Sequence, residues 1–130
     1  MPTQFYQLNI VSGDLDATVR FYHRVGILLH EPFRTSSGEQ FHTSSKASGG
    51  PLLEADSPAF AWVWNEGWKQ ETDLRGRVVI GLRVTDRTEV DRLYREVVEA
   101  GYRGLQPPFD AFWSARYAIV ETRTVWPSGS

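Results

Sequence analysis

The chain has no cysteine among its 130 residues, so disulfides and thiolate metal sites have no part in it. That composition suits a reducing compartment. No stretch approaches the roughly 20 apolar residues of a membrane span. The N-terminus lacks the charged and apolar regions of a signal peptide. A soluble cytoplasmic protein is the expectation, with no membrane partner. Net charge is −2 and no basic stripe stands out, so nucleic acid is not an expected partner. Motifs of the common phosphate cradles, GxGxxG and GxxxxGKS/T, are missing, as is the GxSxG nucleophile elbow. Ser36–Ser37 and Ser44–Ser45 have no histidine and acid spaced for nucleophilic catalysis. What is present is a foldable composition, 41% hydrophobic and 23% charged, of one-domain length, with five tryptophans.

The chain is written twice. Residues 4–11, QFYQLNIV, read as a strand, and GDLDATVRFYHRVG follows. Asp14 is placed to cap a helix, Leu15, Val19 and Tyr22 form its apolar stripe, and Gly26 suits the position after the last turn. Residues 78–101, VVIGLRVTDRTEVDRLYREVVEAG, repeat the plan. Asp86 and Glu89 resemble a capping box, Val90, Leu93, Tyr94, Val97 and Val98 form the stripe, and Gly101 ends it. Asp14 and Asp86 lie 72 residues apart, as do Tyr22 and Tyr94. A repeat of this length implies two copies of one supersecondary unit. ILLHEPFRT, GEQFHTSSK and PLLEA read as three strands after the first helix; RGLQPPFD and RYAIVE read as strands after the second. The expected fold is α+β, one domain over 1–130 built from two βαβββ modules. These cover 4–55 and 78–127, the second clipped at its end, and an aromatic connector spans 56–77. The connector reads as extended or as a strand plus loop.

On GDLDATVRFY in the first module, and VTDRTEVDRLYREVVEAG and PPFDAFWSARYAIV in the second, the chain resembles the vicinal oxygen chelate superfamily. That group holds glyoxalase I, extradiol dioxygenases, fosfomycin-inactivating transferases and bleomycin-resistance proteins. The resemblance implies two half-barrels around a ligand cleft, and often a homodimer. It also implies four metal-ligand positions, which fall here on Gln7, Glu54, Val79 and, loosely, Trp126. Valine and tryptophan cannot ligate, and two oxygen donors make a poor metal site. No metal ligand and no cofactor is therefore expected. His23, His30, His42 and Glu121 are the substitute donors: His23 lies on the first helix, facing solvent or the helix–sheet seam, and His30 and His42 lie on strands without paired spacing, where a lone histidine is more often a surface or core group than a ligand.

Strand parity puts Gln7 and Asn9 in the cleft, with Leu8 and Ile10 against the helix, and by the same alternation Arg83 in the cleft. For Arg83, a salt bridge to Glu54 or Glu121 is as good a reading as ligand contact. Phe60, Trp62 and Trp64 alternate and would share one face of an extended segment, with Trp68 on a following turn. Phe109, Trp113, Arg116 and Tyr117 would bring rings and a cation from the second module. Core packing explains such rings equally well, yet their number exceeds what the helix–sheet layers need. Two functions lead, and a subunit or regulatory domain whose cleft is vestigial is a third. One is a small-molecule-binding protein of the glyoxalase and bleomycin-resistance type, sequestering an aromatic or glycopeptide-like compound as an antibiotic-resistance device. The other is a lyase, isomerase or dioxygenase of the same superfamily, metal-dependent or metal-free, with Glu54 as ligand or catalytic base.

Overall fold

The computed structural model describes residues 5–46, 50–65 and 78–122. The chain divides into two compact units, residues 1–72 with 124–130, and residues 73–123.

In the first unit, strand β1 (Gln7–Val11) leads into helix α1 (Leu15–Arg24). The Asp14 carboxylate accepts a hydrogen bond from the Ala17 backbone N–H, satisfying one of the free donors of the first turn. Leu15, Thr18, Phe21 and Tyr22 are buried, one side of α1. Gly26 follows the last turn at φ 98°, a left-handed conformation that glycine adopts without strain. Three strands come next: β2 (Phe33–Arg34), β3 (Gln40–Ser44) and β4 (Leu52–Asp56). The sheet order is β1-β4-β3-β2, with β1 parallel to β4 and the other pairs antiparallel. The strand expected from ILLHEPFRT is thus only a two-residue piece, with a register irregularity between Phe33 and Arg34. Pro32 beside it has no N–H to give a ladder.

The aromatic connector departs from expectation. Pro58–Trp64 is a helix, α2, not an extended segment. Ser57 caps it, accepting from the Phe60 N–H, and Pro58 fits its first turn, where a missing N–H costs nothing. On a helix, residues two apart lie about 200° apart around the axis. Phe60, Trp62 and Trp64 therefore do not share one face as alternation on a strand would require. Phe60 packs edge-on against Phe41 and His42, while Trp62 and Trp64 are both about half exposed. Trp68 lies outside the described residues.

In the second unit, helix α3 (Arg87–Glu99) packs on a hairpin of β5 (Arg103–Ala111) and β6 (Ala115–Glu121). Asp86 caps α3, accepting from the Glu89 N–H and the Thr88 hydroxyl. Glu89 does not return to the cap as in a full capping box; it pairs with Arg92, which also reaches Glu96. Val97 is fully buried on the apolar stripe, whereas Val98, expected there too, is exposed. Residues 78–84 form no strand, against expectation. Valine and isoleucine favour strands only where a neighbouring edge supplies a ladder, and among the described residues β5 and β6 pair only with each other. Val79 therefore holds no strand position.

The hydrogen bonds from Thr88 and from the Glu89 N–H hold the Asp86 carboxyl below its usual range. A lowered carboxyl contributes stability above its unfolded value and loses it as pH falls through the folded one. Acid titration of the thermal midpoint should thus show wild type losing more stability than Asp86→Asn on the way down.

Candidate functional site

In the first unit, the face of the sheet away from α1 carries a connected set of polar groups. Parity on β4 sends Glu54 and Asp56 to the same side, and β3 sends His42 there. His42 is paired with Asp56, and Asn9 with Glu54, in the strand register. Gln7 donates to Asn9 at 2.7 Å, Asn9 donates to Asp56 Oδ2 at 3.1 Å, and His42 Nδ1 meets Asp56 Oδ1 at 2.7 Å. Asp56 is 1% exposed, so both its oxygens are spent inside the protein. His42 Nε2 stands 3.8 Å from Glu54 Oε1, beyond hydrogen-bond reach. Phe33 stacks parallel to the imidazole and Phe60 meets it edge-on.

In the second unit, an open surface depression of about 360 Å³ lies beside the start of α3. Its walls include Leu82, Arg83, Val90 and the hairpin residues Ala115, Arg116 and Tyr117. Arg83 makes no ion pair among the described residues. Arg116 is held by Asp91 at 3.0 Å and by Asp110 at 3.4 Å, and Arg87 also pairs with Asp110. The hydrogen bond that Arg116 donates to Asp91 fixes its guanidinium in the charged form more firmly than usual. Phe109, Trp113 and Tyr117 meet edge to face, and Phe112 is 94% exposed at the hairpin tip. Ser114 turns the hairpin at φ 66°.

The residues named from sequence therefore fall into two groups. Gln7, Asn9, Glu54 and Phe60 belong to the first unit's face or its border. Arg83, Arg116 and Tyr117 line the depression of the second, with Phe109 and Trp113 packed on Tyr117. Trp62 and Trp64 sit on α2, each about half exposed. His42 and Asp56 were missed as a pair. Parity was the signal, since Asp56 follows Glu54 by two residues on the same strand.

The donors do not fit a metal. Among the described residues, no three histidine, aspartate or glutamate side chains are grouped to hold an ion. Asp56 is already taken by His42 and Asn9, Gln7 turns its amide to Asn9, and Val79 offers no donor. Among the same residues, no helix is long and apolar enough to cross a membrane.

Solved structures share the fold. A glyoxalase-related enzyme from Fulvimarina pelagi is 23% identical, with 98% of this chain and 84% of that one covered at a TM-score of 0.69. A lactoylglutathione lyase from Agrobacterium tumefaciens is 14% identical over 98% and 89% of the two chains, TM-score 0.57. A bleomycin resistance determinant encoded on the transposon Tn5 is 22% identical over 98% and 92%, TM-score 0.50. At these identities the likeness speaks for the fold alone. No curated protein matches the chain. Residues 4–124 match the family as a whole, and the chain belongs to the Glyoxalase/Bleomycin resistance protein/Dioxygenase superfamily.

Proposed function

We propose that this protein binds a flat aromatic or glycopeptide-like compound and sequesters it. The observation that carries the reading is the depression of the second unit, where Arg83, a cation without an ion pair among the described residues, stands with Tyr117 on one wall system. A guanidinium beside a ring holds conjugated ligands by cation–π attraction worth about 0.5–2 kcal/mol. Phe109 and Trp113 back Tyr117 and keep its ring in place. The poor metal donor set supports binding over turnover. A cytoplasmic homodimer that lowers the free concentration of a toxic compound, and so gives antibiotic resistance, fits this reading.

The test is titration with bleomycin and with a panel of aromatic acids, followed by thermal stability and tryptophan fluorescence. A true ligand at a hundred times its Kd raises stability by about 2.7 kcal/mol. Arg83→Ala is expected to weaken binding about tenfold, since loss of one such contact is worth roughly 1.4 kcal/mol, while leaving the unliganded melting temperature in place. The reading fails if metal-saturated protein turns over a glyoxalase- or dioxygenase-type substrate and loses that activity on substitution of Gln7 or Glu54. A second reading, an acid–base enzyme working on the first unit's face, is favoured by the contact of His42 with buried Asp56.

A further inference from the structure

We propose that the compound held in the second unit's depression is a small aromatic carboxylate. Arg83 takes the carboxylate, and the apolar wall beside Tyr117 takes the ring. The inference rests on the binding reading and narrows it, because that reading leaves the charge of the compound open.

The charge follows from which groups of the depression are already engaged. Three guanidinium groups line it, those of Arg83, Arg87 and Arg116. Arg116 donates to Asp91 at 3.0 Å and stands 3.4 Å from Asp110, and Arg87 pairs with Asp110. Those contacts occupy Asp91 and Asp110. Asp86 accepts from the Thr88 hydroxyl and the Glu89 N–H. Arg83 alone of the three cations has no hydrogen-bond or ion-pair partner among the described residues, and keeps its five N–H donors. The hydroxyls of Ser114 and Tyr117, which line the same depression, make no hydrogen bond among those residues either. A cation and two hydroxyls are left over, and together they match an anion. An ammonium ligand would find the nearby carboxylates engaged and a guanidinium facing it.

Geometry and size narrow the class further. A guanidinium is a planar fork, and two of its parallel N–H groups match the two oxygens of a carboxylate. Much of the remaining lining is apolar: Leu82, Val84, Val90 and Ala115 stand with the Tyr117 ring. Phe109 and Trp113 brace that ring edge to face. A flat ring can lie on this wall while its carboxylate meets Arg83. A volume of about 360 Å³ is at the small end for ligand sites and suits a compound of one or two rings. An exposed ion pair contributes little by itself, so the buried ring supplies most of the affinity and the ion pair supplies the selection.

The probes are 2-naphthoate, its neutral amide 2-naphthamide, the cation 2-naphthylmethylammonium, and acetate. Each is titrated into the whole chain and read by amide chemical shifts. Naphthoate is expected to bind about tenfold more tightly than the amide or the ammonium, the discrimination of one charge-assisted hydrogen bond. Its saturable shifts are expected at Arg83, Val90 and Ser114–Tyr117. Arg83 is exposed, so Arg83→Ala keeps the fold, and in it the preference for naphthoate over naphthamide should fall to about one. Equal binding of naphthoate and naphthamide, tighter binding of the ammonium, or an unchanged preference in folded Arg83→Ala each overturns the inference and leaves the binding reading standing. Saturable shifts with bleomycin but not with naphthoate do the same. Acetate binding as tightly as naphthoate, or no saturable shift with any of these compounds, overturns both.

Discussion

Asp56→Ala is expected to destabilise the protein by about 3 kcal/mol. The carboxylate is 1% exposed and accepts from both His42 and Asn9. Its removal strands two donors, each at a cost of roughly 1–3 kcal/mol when water cannot replace the partner. His42 and Asn9 keep some solvent, which places the sum in the lower half of the about 2–6 kcal/mol that two stranded donors would cost. For a chain of this size the shift corresponds to roughly 10 °C in melting temperature. Urea denaturation of Asp56→Ala, His42→Ala and the double variant measures it. The double variant should cost less than the two single losses added, because each single change already breaks the same bond. Additive losses, or an Asp56→Ala loss under about 1 kcal/mol, would contradict the network described.

The second large effect is expected at Gly104, where β5 passes α3. A Cβ built there would overlap the Tyr94 hydroxyl and stand 2.8 Å from the ring carbon that carries it. Overfilling a packed site costs about 1–3 kcal/mol, and Gly104→Ala should fall in that range. The Tyr94 hydroxyl is the atom most in the way, so Tyr94→Phe is expected to recover part of the loss in a Gly104→Ala background. Equilibrium denaturation of the four proteins reads this. A neutral Gly104→Ala would mean that the Tyr94 ring swings aside freely.

Much of the local plan was legible because short-range chemistry sets it. Asp14 and Asp86 read as caps, and each accepts a backbone N–H of its helix. Gly26 and Gly101 read as helix stops, and both have positive φ. Parity on β1 separated Leu8 and Ile10 from Gln7 and Asn9, and the hydrogen bond between the last two puts them on one side. What failed depended on a choice of period or on a distant partner. Phe60, Trp62 and Trp64 fit a period of two, yet Ser57–Pro58 ahead of them is a helix start by its cap and its proline. VVIGLRV has strand composition, but composition cannot provide the neighbouring edge that a ladder needs.

The site was legible in part for the same reason. Arg83 was named from the parity of a strand that residues 78–84 do not form, and Tyr117 from its chemistry; both line one depression of the second unit. The contact of His42 with Asp56 spans two strands, β3 and β4, and no single window of sequence shows it. Nor could sequence decide whether Arg83 meets a carboxylate; among the described residues it meets none. Arg116, next to Tyr117, spends its charge on Asp91 and Asp110, which makes it a clamp between the hairpin and α3.

The central claim is that the protein holds an aromatic compound in the depression lined by Arg83, Val90 and Ser114–Tyr117 of the second unit. The most direct test is an amide chemical-shift titration with the best stabiliser found in the bleomycin and aromatic-acid panel. Saturable shifts centred on Arg83, Val90 and Ser114–Tyr117 are the expected result. Shifts centred elsewhere, or no saturable shift with any member of the panel, would contradict the claim.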